Sequence, residues 1–422
     1  MVRFIHSADI HLDSPLRGLQ KYEGAPVDEI RGATRRALEN LVELAMDREV
    51  DFVLIAGDLY DGDWKDQNTG LFFVAQMIRL RESVIPVVLI SGNHDAANRM
   101  TRTLRLPDNV ELLSHTRPTT SRLGKLGDLG VAVHGQSFGK PAQFDNLAEG
   151  YARKQAGMLN IGLLHTSLDG AAGHEPYAPC TLEDLRRKDY DYWALGHVHA
   201  RKVRCDDPPI VFPGNVQGRH IREAGAKGCY LVTADEQDRC RLEFVPLDVF
   251  RWELCRLDAT QARRPEDVLD DFANQLARLD QSHDGLPLAV RVEVTGPTAA
   301  HDALRADPRR WTSEIRAAAL QHTRSRIWIE KVGVRTTPHG ELTDGTDGGP
   351  IGALMEDVAE LRADPGQLGE LAELLKDLQR RLPDELTHGA EALRFEDPDQ
   401  LQQWIDEVEP LLLNRLRGGV GG

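Results

Sequence analysis

Val88-Leu89-Ile90-Ser91-Gly92-Asn93-His94-Asp95 is the stretch from which this chain is best read. An apolar run rich in β-branched residues stops at a glycine and gives way at once to an amide, an imidazole and a carboxylate, groups that bind a metal or move a proton. That is the pattern of a buried strand ending in an active-site loop. Four other stretches repeat it: Phe4-Ile5-His6-Ser7-Ala8-Asp9-Ile10-His11, Val53-Leu54-Ile55-Ala56-Gly57-Asp58-Leu59-Tyr60-Asp61, Ile161-Gly162-Leu163-Leu164-His165 and Trp193-Ala194-Leu195-Gly196-His197-Val198-His199. Five strand ends are expected to bring polar groups to one edge of a sheet.

Around these stretches the chain alternates strands and helices over residues 1–245. The spacing of Ile30, Ala33, Ala37, Leu41 and Leu44, with Arg31, Arg35, Arg36 and Glu39 largely on the other side, predicts a helix over 27–50 that leads into the strand at 52–55. A second helix over 69–80 precedes the strand at 86–90. Strand, crossover helix and strand imply α/β layering, and continuous apolar strands imply a sheet covered on both faces. Residues 246–336 read as a compact α+β unit without clustered donors, and 337–352, rich in Gly, Thr and Asp, as a flexible linker. Residues 353–417 have the apolar spacing of helices, with Leu368, Leu371, Leu374, Leu375 and Leu378 in register, and such a tail packs either on the chain's own domains or on a separate partner.

Composition limits the function classes. No run approaches the roughly 18 apolar residues that span a membrane, and the N-terminus lacks a signal-peptide layout, so a cytoplasmic protein without a membrane partner is expected. The five cysteines, Cys180, Cys205, Cys229, Cys240 and Cys255, show no Cys-x-x-Cys spacing and read as reduced, packed thiols. A net charge of -16 ordinarily counts against nucleic acid as a partner. Its distribution softens the objection, because residues from 351 onward hold 16 acidic against 7 basic side chains.

Asp9, His11, Asp58, Asn93, His165, His197 and His199 offer carboxylate, amide and imidazole donors and no thiolate, a set suited to Mn²⁺, Fe²⁺ or Zn²⁺. Seven donors exceed the needs of one ion. Two ions sharing a carboxylate account for them, at the roughly 3.5–4 Å spacing that clamps attacking and leaving oxygens. His6 lies in a motif strand but precedes its ligand loop, and His134 ends a strand without a companion donor; both read as packing or hydrogen-bonding residues. His220, beside Arg219 in a Gly-bounded loop, is open to either a phosphate contact or a structural bond.

The ordered set Asp9-x-His11, Gly57-Asp58-x-x-Asp61, Gly92-Asn93-His94-Asp95, His165 and Gly196-His197-x-His199 resembles the calcineurin-like metallophosphoesterase superfamily. The opening stretch and the loop Pro213-Gly214-Asn215-Val216-Gln217-Gly218-Arg219-His220 are similar to SbcD-related, YhaO-like DNA repair exonucleases. The resemblance implies a metallophosphoesterase sandwich of central β-sheets flanked by helices, then a small α+β capping domain that orients DNA and a helical C-terminal tail. It assigns Asp9, His11, Asp58 and His199 to one metal and Asp58, Asn93, His165 and His197 to the other, with Asp58 as the bridge and Mn²⁺ as the expected ion. His94 would stabilise developing charge or protonate the leaving oxygen, and Asp61 would orient it.

Hydrolysis of DNA phosphodiesters is the implied activity, carried out by water that the metals activate, without a phosphoenzyme. Arg99, Arg102, Arg219 and His220 are candidate substrate contacts, as Arg17, Lys21, Arg105, Arg201, Lys202, Arg204 and Arg222 also flank the motif loops. The implied partners are DNA and an SMC-like coiled-coil ATPase docked by residues 353–417; a homodimer stays open, and nucleoid association would follow. Two other readings share the metals or the fold: a small-molecule phosphodiesterase or phosphatase, and a scaffold or regulatory subunit.

Overall fold

The computed structural model describes residues 1–14, 26–61, 67–97, 104–121, 123–170, 177–283, 285–323, 326–339 and 350–379, with scattered positions from 382 to 408. The chain divides into two compact units. One comprises Met1–Cys255, Ala273–Val292 and Ile315–Val332, and the other Arg256–Phe272, Glu293–Glu314 and Gly333–Gly422.

In the first unit, β1 (Val2–Ser7), β2 (Phe52–Ala56), β3 (Val87–Ile90) and β4 (Val110–Leu112) lie parallel and adjacent. A second sheet runs in the order β5 (Thr119–Ser121), β6 (Val131–Gly135), β7 (Leu159–His165), β8 (Tyr192–Gly196), β10 (Pro209–Phe212) and β9 (Lys202–Asp206), with antiparallel strands at its edges. Strands β11 (Gly228–Ala234) and β12 (Cys240–Pro246) return to the first sheet as a hairpin beside β1.

Alternation along the strands sorts the side chains between two cores. Phe4, Phe52, Leu54, Val88 and Ile90 are buried with Val131, Val133, Ile161, Leu163 and Tyr192 of the other sheet. Their neighbours Ile5, Val53, Ile55, Val87 and Leu89 turn the other way, onto helices. Those helices are α2 (Ala33–Asp47), whose Ala37, Leu38, Leu41, Val42 and Ala45 are buried, and α3 (Gln67–Glu82), which adds Phe73, Met77 and Leu80; the short α1 (Val27–Arg31) precedes them. The helix expected over 27–50 is thus two pieces, with Gly32 between them. On its outer face the second sheet packs Leu164, Trp193, Leu195, Ile210 and Phe212 against Phe138, Tyr151, Leu185 and Tyr190.

This architecture corrects one expectation. The five motif strands are β1, β2 and β3 of the first sheet and β7 and β8 of the second, so the polar groups come from two facing sheets and not from one sheet edge. A strand buried on both faces reads as a continuous apolar run whether a helix or another sheet covers it, and the sequence pattern does not distinguish the two.

Beyond residue 246 strands and helices alternate. Strands β13 (Arg251–Asp258), β14 (Leu288–Thr298) and β15 (Ile327–Pro338) form a three-stranded sheet in that order, with helices Pro265–Ser282 and Pro308–Thr323 between them in the chain. The short helix His301–Ala306 is an addition. Within the first unit Phe250, Trp252 and Ala289 pack with Ile30 and Ala33. Helices Pro350–Ala363 and Pro365–Gln379 follow; residues 340–349 of the expected linker and most of 380–417 lie outside the described residues. Among the described residues no helix is long and apolar enough to cross a membrane, and all five cysteines are free.

Candidate metal centre

The C-terminal ends of β1, β2, β3, β7 and β8 converge, and the loops after them are held in conformations that side chains ordinarily avoid. Asp9, His11, Asp58 and His197 have φ values of 49°, 46°, 51° and 103°. Left-handed backbone at a non-glycine residue costs about 1–3 kcal/mol and persists only where the surroundings impose it. Here the loops brace one another: Asp9 N donates to the Gly57 carbonyl at 3.1 Å, His11 N to Asp58 O at 3.0 Å and Leu12 N to Leu59 O at 2.8 Å. Asp95, fully inside, accepts from the backbone N–H of Leu59, Tyr60 and Gly92 at 3.1, 2.9 and 3.1 Å, and so ties the second motif to the third. The helix α4 (Asn93–Ala97) starts at once after Gly92, where a Cβ would overlap the Asp58 carboxylate and the His165 ring.

Three groups of donor atoms, each within 4.8 Å of one another, result: Asp9, His11 and His199; Asp9, Asp58 and His165; and His11, Asp58 and His94. The Nε2 atoms of His11 and His199 are 3.1 Å apart. His165 Nε2 lies 3.4 Å from Asp58 Oδ2 and 3.1 Å from Asn93 Oδ1, and His11 Nε2 is 4.0 Å from Asp58 Oδ2. His197 stands beside these groups, its ring centred 5.2 Å from that of His165 and its backbone N–H 3.1 Å from both oxygens of Asp9.

These residues fit divalent cations on three grounds. Metal–nitrogen bonds of about 2.1 Å put adjacent ligands roughly 3.0–3.4 Å apart, the range of the closest separations here. The tautomers are suitable, because His165 Nδ1 faces the Ala56 carbonyl at 2.9 Å and His199 Nδ1 faces Glu223 at 2.7 Å, which turns each Nε2 toward the other donors. The electrostatics are suitable too. Burial pulls the His165 imidazole down, yet the charge of Asp58 overcomes this and pushes it up to about 9. A buried pair of carboxylates here demands positive charge. His11, in contrast, is brought down to about 3 by burial and by Arg219, and so holds the neutral form that coordinates.

Beside the donors stands His94, 38 % exposed, with Nδ1 2.9 Å from Asp61 Oδ1. Burial opposes its protonation, but the bond to Asp61 and the charge of Asp58 raise its pKa above the ordinary value. Its backbone N–H donates to Asp58 Oδ1 at 2.9 Å. Asp61 in turn accepts from Ser14 Oγ at 2.6 Å and lies 3.7 Å from His11 Nδ1 and 3.8 Å from Arg219 Nη1.

Of the candidate substrate contacts, Arg99 and Arg102 lie outside the described residues. Arg219 is 14 % exposed, with its guanidinium on Glu223 and beside Asp61, so its charge is compensated inside the protein. His220 is 47 % exposed, with Nε2 3.6 Å from Glu223 Oε1. Sequence reasoning missed Glu223, Ser14 and the bracing by Asp95. Glu223 ends the short turn Ile221–Glu223 without an apolar strand before it, and Ser14 offers only a hydroxyl, so neither carries the strand-end pattern that marks the other donors.

Residues 2–201 match the calcineurin-like phosphoesterase family, and residues 252–337 match the middle domain of metallophosphoesterase YhaO. The chain is 32 % identical over 380 residues to the uncharacterized metallophosphoesterase YhaO of Bacillus subtilis (strain 168), covering 89 % of this chain and 90 % of that protein. It is also 28 % identical over 207 residues to the DNA double-strand break repair protein Mre11 of Sulfurisphaera tokodaii, covering 48 % of this chain and 50 % of that one. For the protein of the same name from Methanopyrus kandleri the identity is 24 % over 292 residues, covering 63 % and 61 %. With this coverage and the donor groups above, the chain belongs to the calcineurin-like metallophosphoesterases, phosphoester hydrolases with a dinuclear metal site, and within them is similar to YhaO along most of its length.

Proposed function

We propose that this chain is a DNA exonuclease that hydrolyses phosphodiester bonds in DNA repair or processing, with two Mn²⁺ ions as its working metals. In this reading residues 246–336 cap the site, and residues 353–417 dock an SMC-like ATPase, which places the protein at the nucleoid. The observation that carries the reading is the largely buried donor set with the partly exposed His94, bonded to Asp61, at its side. The choice of DNA is supported by the similarity to the two Mre11 proteins.

Asp9, His11, Asp58 and His199 would hold one ion, and Asp58, Asn93, His165 and His197 the other. Bound divalent cations supply Lewis acidity toward a phosphoryl oxygen and lower the pKa of water toward neutrality. The protein's own part begins with His94. Asp61 fixes its Nδ1, favours its protonated form and leaves Nε2 to deliver a proton to the departing sugar oxygen. Ser14 and Arg219 keep Asp61 in place. Burial pushes the thiols of Cys180 and Cys255 up to about 11 and that of Cys240 up to about 12, which disfavours the thiolate at these three positions.

The test compares the full chain with His94→Ala, in Mn²⁺, on linear double-stranded DNA, single-stranded DNA and a small chromogenic phosphodiester. DNA degradation that falls about 100-fold or more in His94→Ala, at unchanged metal content, is expected. DNA binding should also weaken steeply with salt, as counterion release requires. Cleavage of the small ester alone would replace the nuclease reading with a small-molecule phosphodiesterase. Silence on all three substrates, with two metals bound, would favour a scaffold.

A further inference from the structure

We propose that Glu223 is a positioning residue of the metal centre, which holds His199 through Nδ1 and, with Arg219, links that imidazole to Asp61. The proposal rests on the reading of His199 as a metal ligand.

Glu223 is a carboxylate only 4 % exposed, and a buried carboxylate persists where donors saturate it. Its Oε1 receives His199 Nδ1 at 2.7 Å and Arg219 Nη2 at 3.0 Å. Its Oε2 receives the Arg219 backbone N–H at 2.8 Å and Asn215 Nδ2 at 2.9 Å. The loop after β10 is therefore wound around one carboxylate, and the shortest bond of that carboxylate goes to a candidate ligand. Lys227 Nζ donates to the His199 carbonyl at 3.0 Å, so the backbone of this residue is held as well as its ring. An anion on one nitrogen of an imidazole fixes the ring and raises the basicity of the other nitrogen toward a metal.

His165 provides the internal contrast. Its Nδ1 faces a neutral backbone carbonyl, that of Ala56, at 2.9 Å. One side of the centre is thus backed by a carboxylate and the other by a peptide group. Loss of the Glu223 charge should weaken one of two ions and spare the other. From Glu223 the contact continues through Arg219, whose Nη1 is 3.8 Å from Asp61 Oδ2, to the Asp61–His94 pair. This assigns Arg219 to the support of the site, whereas the sequence suggested a contact with substrate.

The test is titration of the metal-stripped full chain with Mn²⁺ alone, followed by electron paramagnetic resonance and calorimetry, for the wild type, Glu223→Gln, Glu223→Ala and His199→Ala. Glu223→Gln keeps the volume and an oxygen for Nδ1 while it removes the charge. Two sites in the wild type are expected, with one of them weakened about 10- to 100-fold in Glu223→Gln and the other unchanged. The unchanged site also reports that the variant is folded. Wild-type affinity at both sites in Glu223→Gln and Glu223→Ala would overturn the proposal, and so would an equal loss at both, the mark of a merely structural knot. If His199→Ala left both affinities intact, the assignment of the ligand would fall instead, and the proposal with it.

Discussion

His6 shows how a polar side chain serves the two-sheet core without belonging to the metal chemistry. It is fully buried in β1, with Nδ1 2.9 Å from the Tyr192 hydroxyl and Nε2 3.1 Å from the Leu195 carbonyl, both on β8. In the neutral form Nε2–H donates to the Leu195 carbonyl and Nδ1 accepts from the Tyr192 hydroxyl, so no charge has to be buried. Burial lowers its pKa from 6.5 to about 3. The unfolded chain therefore binds one more proton than the folded chain between these values. This contribution to stability is complete above pH 6.5 and is lost as pH falls toward 3. His6→Gln keeps a donor and an acceptor but does not titrate. Urea unfolding of metal-stripped protein should show that the wild type loses on the order of 3 kcal/mol more than His6→Gln between pH 6.5 and pH 4. Parallel pH profiles would show that another group governs acid sensitivity here.

Gly162 governs the fit between neighbouring strands at the scale of the element. A Cβ at this position of β7 would run into the Trp193 ring of β8. That ring is itself fixed, stacked with Tyr190 at 5.1 Å and Tyr151 at 5.8 Å between centroids. Gly162→Ala should destabilise the protein by about 1–3 kcal/mol through overpacking, seen as a lower thermal midpoint. An unchanged midpoint would mean that the aromatic stack yields. The elements themselves were legible unevenly. Long strands and helices with one or more full periods, such as β7 and α3, fell where the apolar spacing put them. The short elements β4, β5 and α4 have no continuous apolar run or full period, and so carry too little pattern to be read.

For the whole molecule, the division into two units makes the tail separable from the centre. Every donor of the candidate site lies within Met1–Cys255, whereas Pro350–Ala363 and Pro365–Gln379 belong to the other unit. The second of these helices leaves Leu374 80 % and Leu378 49 % exposed, one turn apart. Removal of residues 350–422 should therefore preserve Mn²⁺ binding and hydrolysis of a small phosphodiester, and on the proposed reading should abolish co-purification with the ATPase. Loss of metal binding in the truncated protein would show that these helices support the core. The sequence by itself determined which polar residues follow the motif strands and in what order, because each stands at a fixed offset after a run of apolar residues, as in Asp9-x-His11 or Gly196-His197-x-His199. It also determined the α/β class, since local periodicity is a property of neighbours in the chain. Only the tertiary structure decided that two sheets face each other to assemble the site, and that Glu223 and Ser14 stand behind His199 and Asp61. Contacts between residues 24 or 47 positions apart leave no trace in local spacing. They exist only once the chain has brought its distant loops together.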